Sequence, residues 1–535
     1  EYGFLTLVAP IVTLAVAIAT RKVPLAMLIG IFIGQLIVYG WNPFTAINEG
    51  LNVILKVCAD TGNLKTFLFT ALMGAFVILV RVSGGVKGFV NYLTEQSKMV
   101  KSKRAAMLIA YVIGIIIFID GLLSIMFTGV VTRPLTDKFK VSREKLAYIC
   151  DATSAPVNAI IPLNSWGAML MGLISAEIAS GYIQGNPMTL LFNSLPFQFY
   201  SILSLLFVLF YILSDKDWGP MKKAELRVQT TGKLYDDGVT PLLNDTEGFD
   251  ELVPEGKENK WNMILPLIVL IGGTFAGLFI TGHGKLAEGD GATSILYAVT
   301  ITLIVMCIMY TKQGIMSAKE FGDSVMKGVS SMMGLVILLV LSFAIGQVIK
   351  GMGTGQFLAS LLGDSISGAF CPAMVFIMGA VMAFCTGTSW GTFSIMMPIA
   401  IPMAVAMNAN ILLTIGAVVS SGIFGDHCSP VSDTTVMASI FSGADHIDHV
   451  GTQVPYAVTV ISVIAVLYVI FGFTEISPFI LLLIGIVALY FLQIINISEL
   501  VHNGLNFFAV VNTEFDGSVE DAVITTDCYL VDIDA

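Results

Sequence analysis

The chain has 535 residues, 56% of them apolar and only 12% charged, with a formal net charge of −11 and a mean hydropathy of +0.85. Soluble domains carry about 25% charged residues, so this composition excludes an ordinary soluble protein. The acidic balance excludes a nucleic-acid binder, which needs a basic surface, and seven cysteines without a CxxC pair argue against a disulfide or zinc framework.

Apolar windows of about 18–20 residues, long enough to cross hydrocarbon, mark an all-α polytopic membrane protein. Spans are predicted over 4–20, 24–40 and 64–82, the first too well matched to a span to be a cleaved signal. A broken segment follows at 105–132, another at 145–181, then a clean span at 188–213. Residues 214–261 read as a charged cytoplasmic loop carrying Lys216, Lys222, Lys223, Arg227, Lys233, Lys257 and Lys260. Spans resume at 262–281, 292–311 and 333–349. Broken segments recur at 371–407 and 411–444, and spans at 452–473 and 477–495 precede an acidic tail. The expected divisions are therefore 1–213, 214–261, 262–475, an extra span at 476–495, and a soluble tail at 496–535.

The two halves repeat at a constant offset of 268 residues: Gly85 with Gly353, Phe89 with Phe357, Pro134 with Pro402, Pro162 with Pro430. The same offset sets Asn158 on Asp426 and Ser165 on Asp433. Lys98, Lys101, Lys103 and Arg104 before the 105–132 segment, and Arg133, Lys138, Lys140 and Arg143 after it, place both its ends in the cytoplasm. It is then a re-entrant hairpin with its tip near Asp120-Gly121. About five crossings per half follow, and an odd number inverts the second copy. Inverted repeats with broken helices near the midplane are a common plan of secondary transporters.

Non-helical backbone at bilayer depth is tolerated only where it is buried in protein or lines a cavity. Four such breaks are written here: hairpin tips at Phe118–Gly121 and Cys385–Gly391, and crossing breaks centred on Pro156–Pro162 and Gly425–Pro430. They gather oxygen ligands: Asp120, Asp151 and Asn158 from the first half, and Thr386, Thr388, Ser389, Asp426, Ser429, Asp433 and Thr434 from the second. Intramembrane carboxylates cost roughly 2.5–3.5 kcal/mol each on insertion scales, so they mark binding sites by default. An all-oxygen set suits a hard cation, and a carboxylate that takes either sodium or a proton gives exchange directly. The competing structural role is helix capping, for which Asp433 is well placed ahead of Thr434. His427 reads as a donor that holds its break or as a proton switch. The Asp445–His449 run reads as a solvated helix end. Asn164, Ser165, Trp166 and Trp390 form the set that would meet an organic substrate, with packing as the competing role for the two tryptophans.

The string Gly425–Thr435, with Asp151–Trp166 and Thr386–Gly391, closely resembles the NhaC-type sodium/proton antiporter family over most of residues 60–475. The resemblance implies a secondary antiporter of the inverted-repeat ion-transporter superfamily, with Na+ and H+ as partners. Relatives of this type also exchange malate and lactate or carry amino acids, so a coupled carrier of a small organic acid or amino acid is the alternative. No cofactor is expected beyond sodium as the transported or coupling ion, and no enzymatic pair of nucleophile and base is present in the core. A bacterial-type inner membrane, a cytoplasmic C-terminus and a homodimer complete the expectations.

Overall fold

The computed structural model describes residues 2–495 apart from 21, 86, 90, 91, 93–101, 119, 120, 163, 236–257, 286–288, 355, 356 and 358–366. Of residues 18, 123, 291, 292, 433, 494 and 495 only the backbone is described. Asp120 and the acidic tail lie outside the described residues.

Every regular element among the described residues is helical. In chain order they are α1 (Val8–Thr20), α2 (Val23–Val38), α3 (Pro43–Ala59), α4 (Thr61–Val82), α5 (Lys103–Ile116), α6 (Gly121–Lys138) and α7 (Arg143–Ala152). Then come α8 (Ala155–Ile160), α9 (Ser165–Ala179), α10 (Pro187–Ser194), α11 (Phe199–Ser214) and α12 (Gly219–Thr231). The second half has α13 (Trp261–Thr281), α14 (Gly291–Lys312), α15 (Ala318–Met352), α16 (Cys371–Thr386), α17 (Ser389–Ala406) and α18 (Ile411–Cys428). It ends with α19 (Asp433–Ser442), α20 (His446–Thr474) and α21 (Pro478–Ile495). Among the described residues nine helices are long and apolar enough to cross a membrane, or ten if the crossing of α7–α8 with α9, bent by 44°, is one span.

Starts and stops follow local chemistry. Asn42 caps α3 with its side chain and Pro43 opens it, since a first-turn proline loses no helical hydrogen bond. Ser317 and Glu320 form a reciprocal capping box on α15. That helix runs 35 residues, about 52 Å at 1.5 Å per residue, well beyond the span expected at 333–349. It packs along α4 and also touches α2, α3, α9 and α17.

The halves share their helix starts. Lys103 and Cys371, Gly121 and Ser389, Arg143 and Ile411, and Ser165 and Asp433 each begin corresponding helices 268 residues apart. Thus α5–α6 corresponds to the hairpin α16–α17, and α7–α8–α9 to the broken crossing α18–α19.

Three features depart from the sequence reading. Helix α3 was not expected; its polar and apolar residues alternate too evenly to register as a span, yet Phe44, Ile47, Leu51 and Leu55 form one exposed apolar face. The charged loop contains α12, tied down by ions. Lys145, fully buried, reaches Asp217 at 2.7 Å and Glu225 at 3.9 Å, while Lys103 meets Glu225 at 2.6 Å and Asp215 at 3.1 Å. Arg227 pairs with Glu144 across the same seam. Finally, the breaks are shifted. The first crossing is interrupted at 153–154 and again at 161–164, and the second only at 429–432. Gly425 and Asp426 are still helical, because the proline at 430 frees only the backbone around it.

Candidate functional site

Both principal carboxylates stand in the last turn of a helix that stops at a break: Asp151 in α7 and Asp426 in α18. They are 0% and 2% exposed. Helix C-termini carry partial negative charge, so each carboxylate adds to a field that already favours a cation. Asp426 accepts from Ser432 Oγ at 2.7 Å through Oδ1 and from Ser389 Oγ at 2.9 Å through Oδ2. Thr434 and Thr435 each donate to its backbone carbonyl at 3.2 Å.

Asp151 comes from the other half and lies within electrostatic reach of Asp426 and beside Thr434 and Thr435. Its Oδ2 accepts from Gln453 Nε2 at 2.9 Å, and the same amide donates to the carbonyl of His427. Asp151 Oδ1 has no hydrogen-bond partner. Buried polar atoms are nearly always paired, so this oxygen is an acceptor the cluster leaves unfilled.

The first break is stitched shut by amides. Asn164 Nδ2 reaches the Phe118 carbonyl at 3.0 Å, Asn158 Oδ1 at 3.1 Å and the Ile161 carbonyl at 2.9 Å, while its Oδ1 caps α9. Asn158 Nδ2 donates to the Ser154 carbonyl at 2.9 Å. Serines fasten each break to its hairpin: Ser154 Oγ to the Gly121 carbonyl at 2.8 Å, and Ser429 Oγ to the Phe384 carbonyl at 2.6 Å. Two glycines allow the second fastening. Gly387 adopts φ +67°, and a Cβ there would lie 2.6 Å from the Val431 carbonyl oxygen. A Cβ on Gly425 would lie 2.3 Å from the backbone of Ala383.

The structure thus gathers Asp151, Asp426, Ser389 and Thr434 around one centre, with Ser432 and Thr435. Asn158, Asn164 and Ser429 hold the breaks. Thr386 donates to the Met382 carbonyl at 2.9 Å, and Thr388 caps α17 at Gly391; both are committed locally. Helix α19 begins at Asp433 with Ser432 in the N-cap position, and the Ser432 hydroxyl makes no capping hydrogen bond. Trp166 and Trp390 pack on each other, ring centroids 5.7 Å apart and edge to face, while Ser165 Oγ beside them is buried without a partner.

The expectation of a solvated Asp445–His449 end fails for its two imidazoles, His446 being 8% and His449 0% exposed, while Asp445, Ile447 and Asp448 keep contact with solvent. The start of α20 turns inward because Ser439 and Gln453 offer these rings buried partners. His427 bonds through Nδ1 to Tyr200 OH at 2.8 Å, so it braces α18 against α11. Sequence reasoning missed Gln453, whose signal was an amide one turn after His449 in an otherwise apolar span. It also missed Glu177, a buried carboxylate of α9 whose Oε2 has no partner.

The profile of the Na+/H+ antiporter family matches residues 164–473, more than half of the chain. The chain belongs to the Na+/H+ antiporter family. An uncharacterized protein of Haemophilus influenzae is 35% identical over 489 residues, 88% of this chain and 91% of that protein. An uncharacterized Na(+)/H(+) antiporter of the same organism is 32% identical over 26% of this chain and 30% of its own length. The malate-2H(+)/Na(+)-lactate antiporter of Bacillus subtilis is 28% identical over 29% of this chain and 34% of its own. Among solved structures, the YdaH transporter of Alcanivorax borkumensis shares the fold with a TM-score of 0.50 at 11% identity, over 81% of this chain and 89% of that one. Family membership and the apolar helices make this a multi-pass membrane protein and a secondary transporter.

Proposed function

We propose that this chain exchanges sodium for protons by alternating access in a bacterial-type inner membrane. One observation carries the reading. Two buried carboxylates, one from each half, each in the last turn of a helix that stops at a break, lie within electrostatic reach of each other and beside a set of hydroxyls. Two negative groups in so apolar a setting require neutralisation. Sodium suits the all-oxygen donor set, and Asp426 and Asp151 would hold it with Ser389, Ser432 and Thr434. A proton on either carboxylate would weaken that shell, so the two cations compete. The fastened hairpins would move with the breaks to open the site to each side in turn.

The test is proteoliposome transport with a sodium gradient and a lumenal pH dye. Asp426→Asn is expected to abolish sodium-driven proton movement, because it removes the exchangeable charge while keeping the side chain's shape. Wild-type exchange rates in that variant would reject the assignment.

The second reading is sodium- or proton-coupled carriage of a small organic acid. It is favoured by the unpartnered Ser165 Oγ at the N-terminus of α9, beside the Trp166–Trp390 pair. A helix N-terminus suits a carboxylate. Exchange in vesicles holding only inorganic ions supports the first reading. Flux that starts only when malate, lactate or an amino acid is added supports the second.

A further inference from the structure

Helices α19 and α20 bury two imidazoles against one hydroxyl. Ser439 Oγ lies 3.0 Å from His446 Nδ1 and 2.9 Å from His449 Nδ1, and 2.9 Å from the Thr435 carbonyl. On the far side of each ring, His446 Nε2 lies 2.8 Å from the Pro430 carbonyl, and His449 Nε2 lies 2.6 Å from Gln453 Oε1. The orientation of the Gln453 amide is fixed, because its Nε2 faces Asp151 Oδ2 and the His427 carbonyl, both acceptors.

Counting hydrogens decides what this cluster binds. Each Nε2 faces an oxygen that only accepts, so each Nε2 carries a hydrogen. In neutral rings both Nδ1 atoms are then bare acceptors. The single Ser439 hydroxyl hydrogen is offered to two bare nitrogens and a carbonyl. At least one buried Nδ1 is left facing oxygen lone pairs, which is costly away from water. One added proton repairs this. An Nδ1–H on either ring donates to Ser439 Oγ, and the hydroxyl donates to the other Nδ1. A second added proton would place two cations on one buried hydroxyl, where repulsion opposes it.

We propose that His446, Ser439 and His449 form a binding site for one proton, distinct from the carboxylate centre. The charged and titratable groups that act on it are Asp445 on its own helix, which also takes the Asp448 backbone amide, and His427 from α18. Asp151 from α7 reaches it across Gln453, and Arg133 of α6 and Arg143 of α7 lie at Gly443, where α19 ends. His446 is the more exposed ring, so the proton enters there. The inference does not depend on which solute the carboxylates carry.

The experiment is nitrogen NMR of ring-labelled histidine in the full chain in lipid, with neither sodium nor organic solute present. From about pH 8.5 to about pH 5, the window in which imidazoles titrate, both rings are expected to start as Nε2–H tautomers. They should then take up one proton together, their signals moving with one midpoint. Ser439→Ala should lower that midpoint by at least tenfold in proton affinity, about one pH unit, and Ser439→Thr should restore it. Two rings that stay neutral throughout, or start as Nδ1–H tautomers, overturn the proposal. So do two rings that titrate independently with Ser439→Ala having no effect. Should Ser439→Ala fail to fold, the wild-type titration stands alone, and His446→Gln gives a second arm: His449 is expected to lose its uptake by at least tenfold, and an unchanged His449 overturns the site.

Discussion

Gln453 joins the carboxylate centre to the histidine pair, and its role is readable atom by atom. Its amide nitrogen serves Asp151 and the His427 carbonyl, and its oxygen serves His449. Gln453→Ala leaves three buried groups without their partner. The expected loss is about 1–3 kcal/mol of stability, the usual cost of unsatisfied buried polar groups, together with weaker sodium-dependent exchange. Denaturant unfolding in detergent measures the first effect, and unaltered stability would remove Gln453 from this role. The site's carboxylates were legible in the sequence because Asp151 and Asp426 are expensive at bilayer depth. Gln453, Tyr200 and Ser439 were not, since a single amide or hydroxyl in an apolar helix can always satisfy itself locally. The histidines were misread for a related reason: a run of alternating Asp and His looks solvated until the partners that bury it are known.

At the scale of elements, the hairpins and breaks were legible because proline, glycine and acids punctuate them, and four helix starts repeat to the residue. What the sequence did not announce is what holds α12 in place. Its charges looked like those of an open loop. Instead Glu225, in the middle of α12, accepts from the Ser142 amide at 2.6 Å and meets both Lys145 and Lys103. The network clamps α12 over the starts of α5 and α7, the helix that carries Asp151. Removing one partner of a buried pair costs about 3–5 kcal/mol, because the remaining charge stays desolvated. Lys145→Met is therefore expected to destabilise the protein on that scale, with Lys103 limiting the loss. Adding Asp217→Asn to Lys145→Met should return part of it, since Asp217, 2.7 Å from Lys145, is the carboxylate left without its cation. A double variant that falls by the sum of the two single losses would show that the residues act independently.

At the scale of the whole molecule, the repeated helix starts leave one question, the relative direction of the two copies. Arg143, at the head of the first broken crossing, donates to the carbonyl of Gly443 at the tail of the second, at 3.2 Å. Near the head of the second crossing, Gly416 packs against Phe197, which follows the first crossing beyond α10. Head against tail, as at Arg143 and Gly443, is the arrangement an inverted repeat produces. The charges agree: Lys103, Arg104, Arg133, Lys138, Lys140, Arg143 and Lys145 flank the first hairpin, whereas no Lys or Arg follows Lys350 anywhere in the chain. Basic residues are retained on the cytoplasmic side, so the open ends of the two hairpins should face opposite compartments. Single cysteines at Ser102 and Ser367, both exposed at those ends, test this in a background whose native cysteines are replaced. A membrane-impermeant maleimide is expected to label Ser102→Cys only in inside-out vesicles and Ser367→Cys only in intact cells. Labelling of both from one side would make the repeat parallel. The two hairpins would then enter from one compartment, and the symmetric exchange of accessibility that inversion provides would be lost.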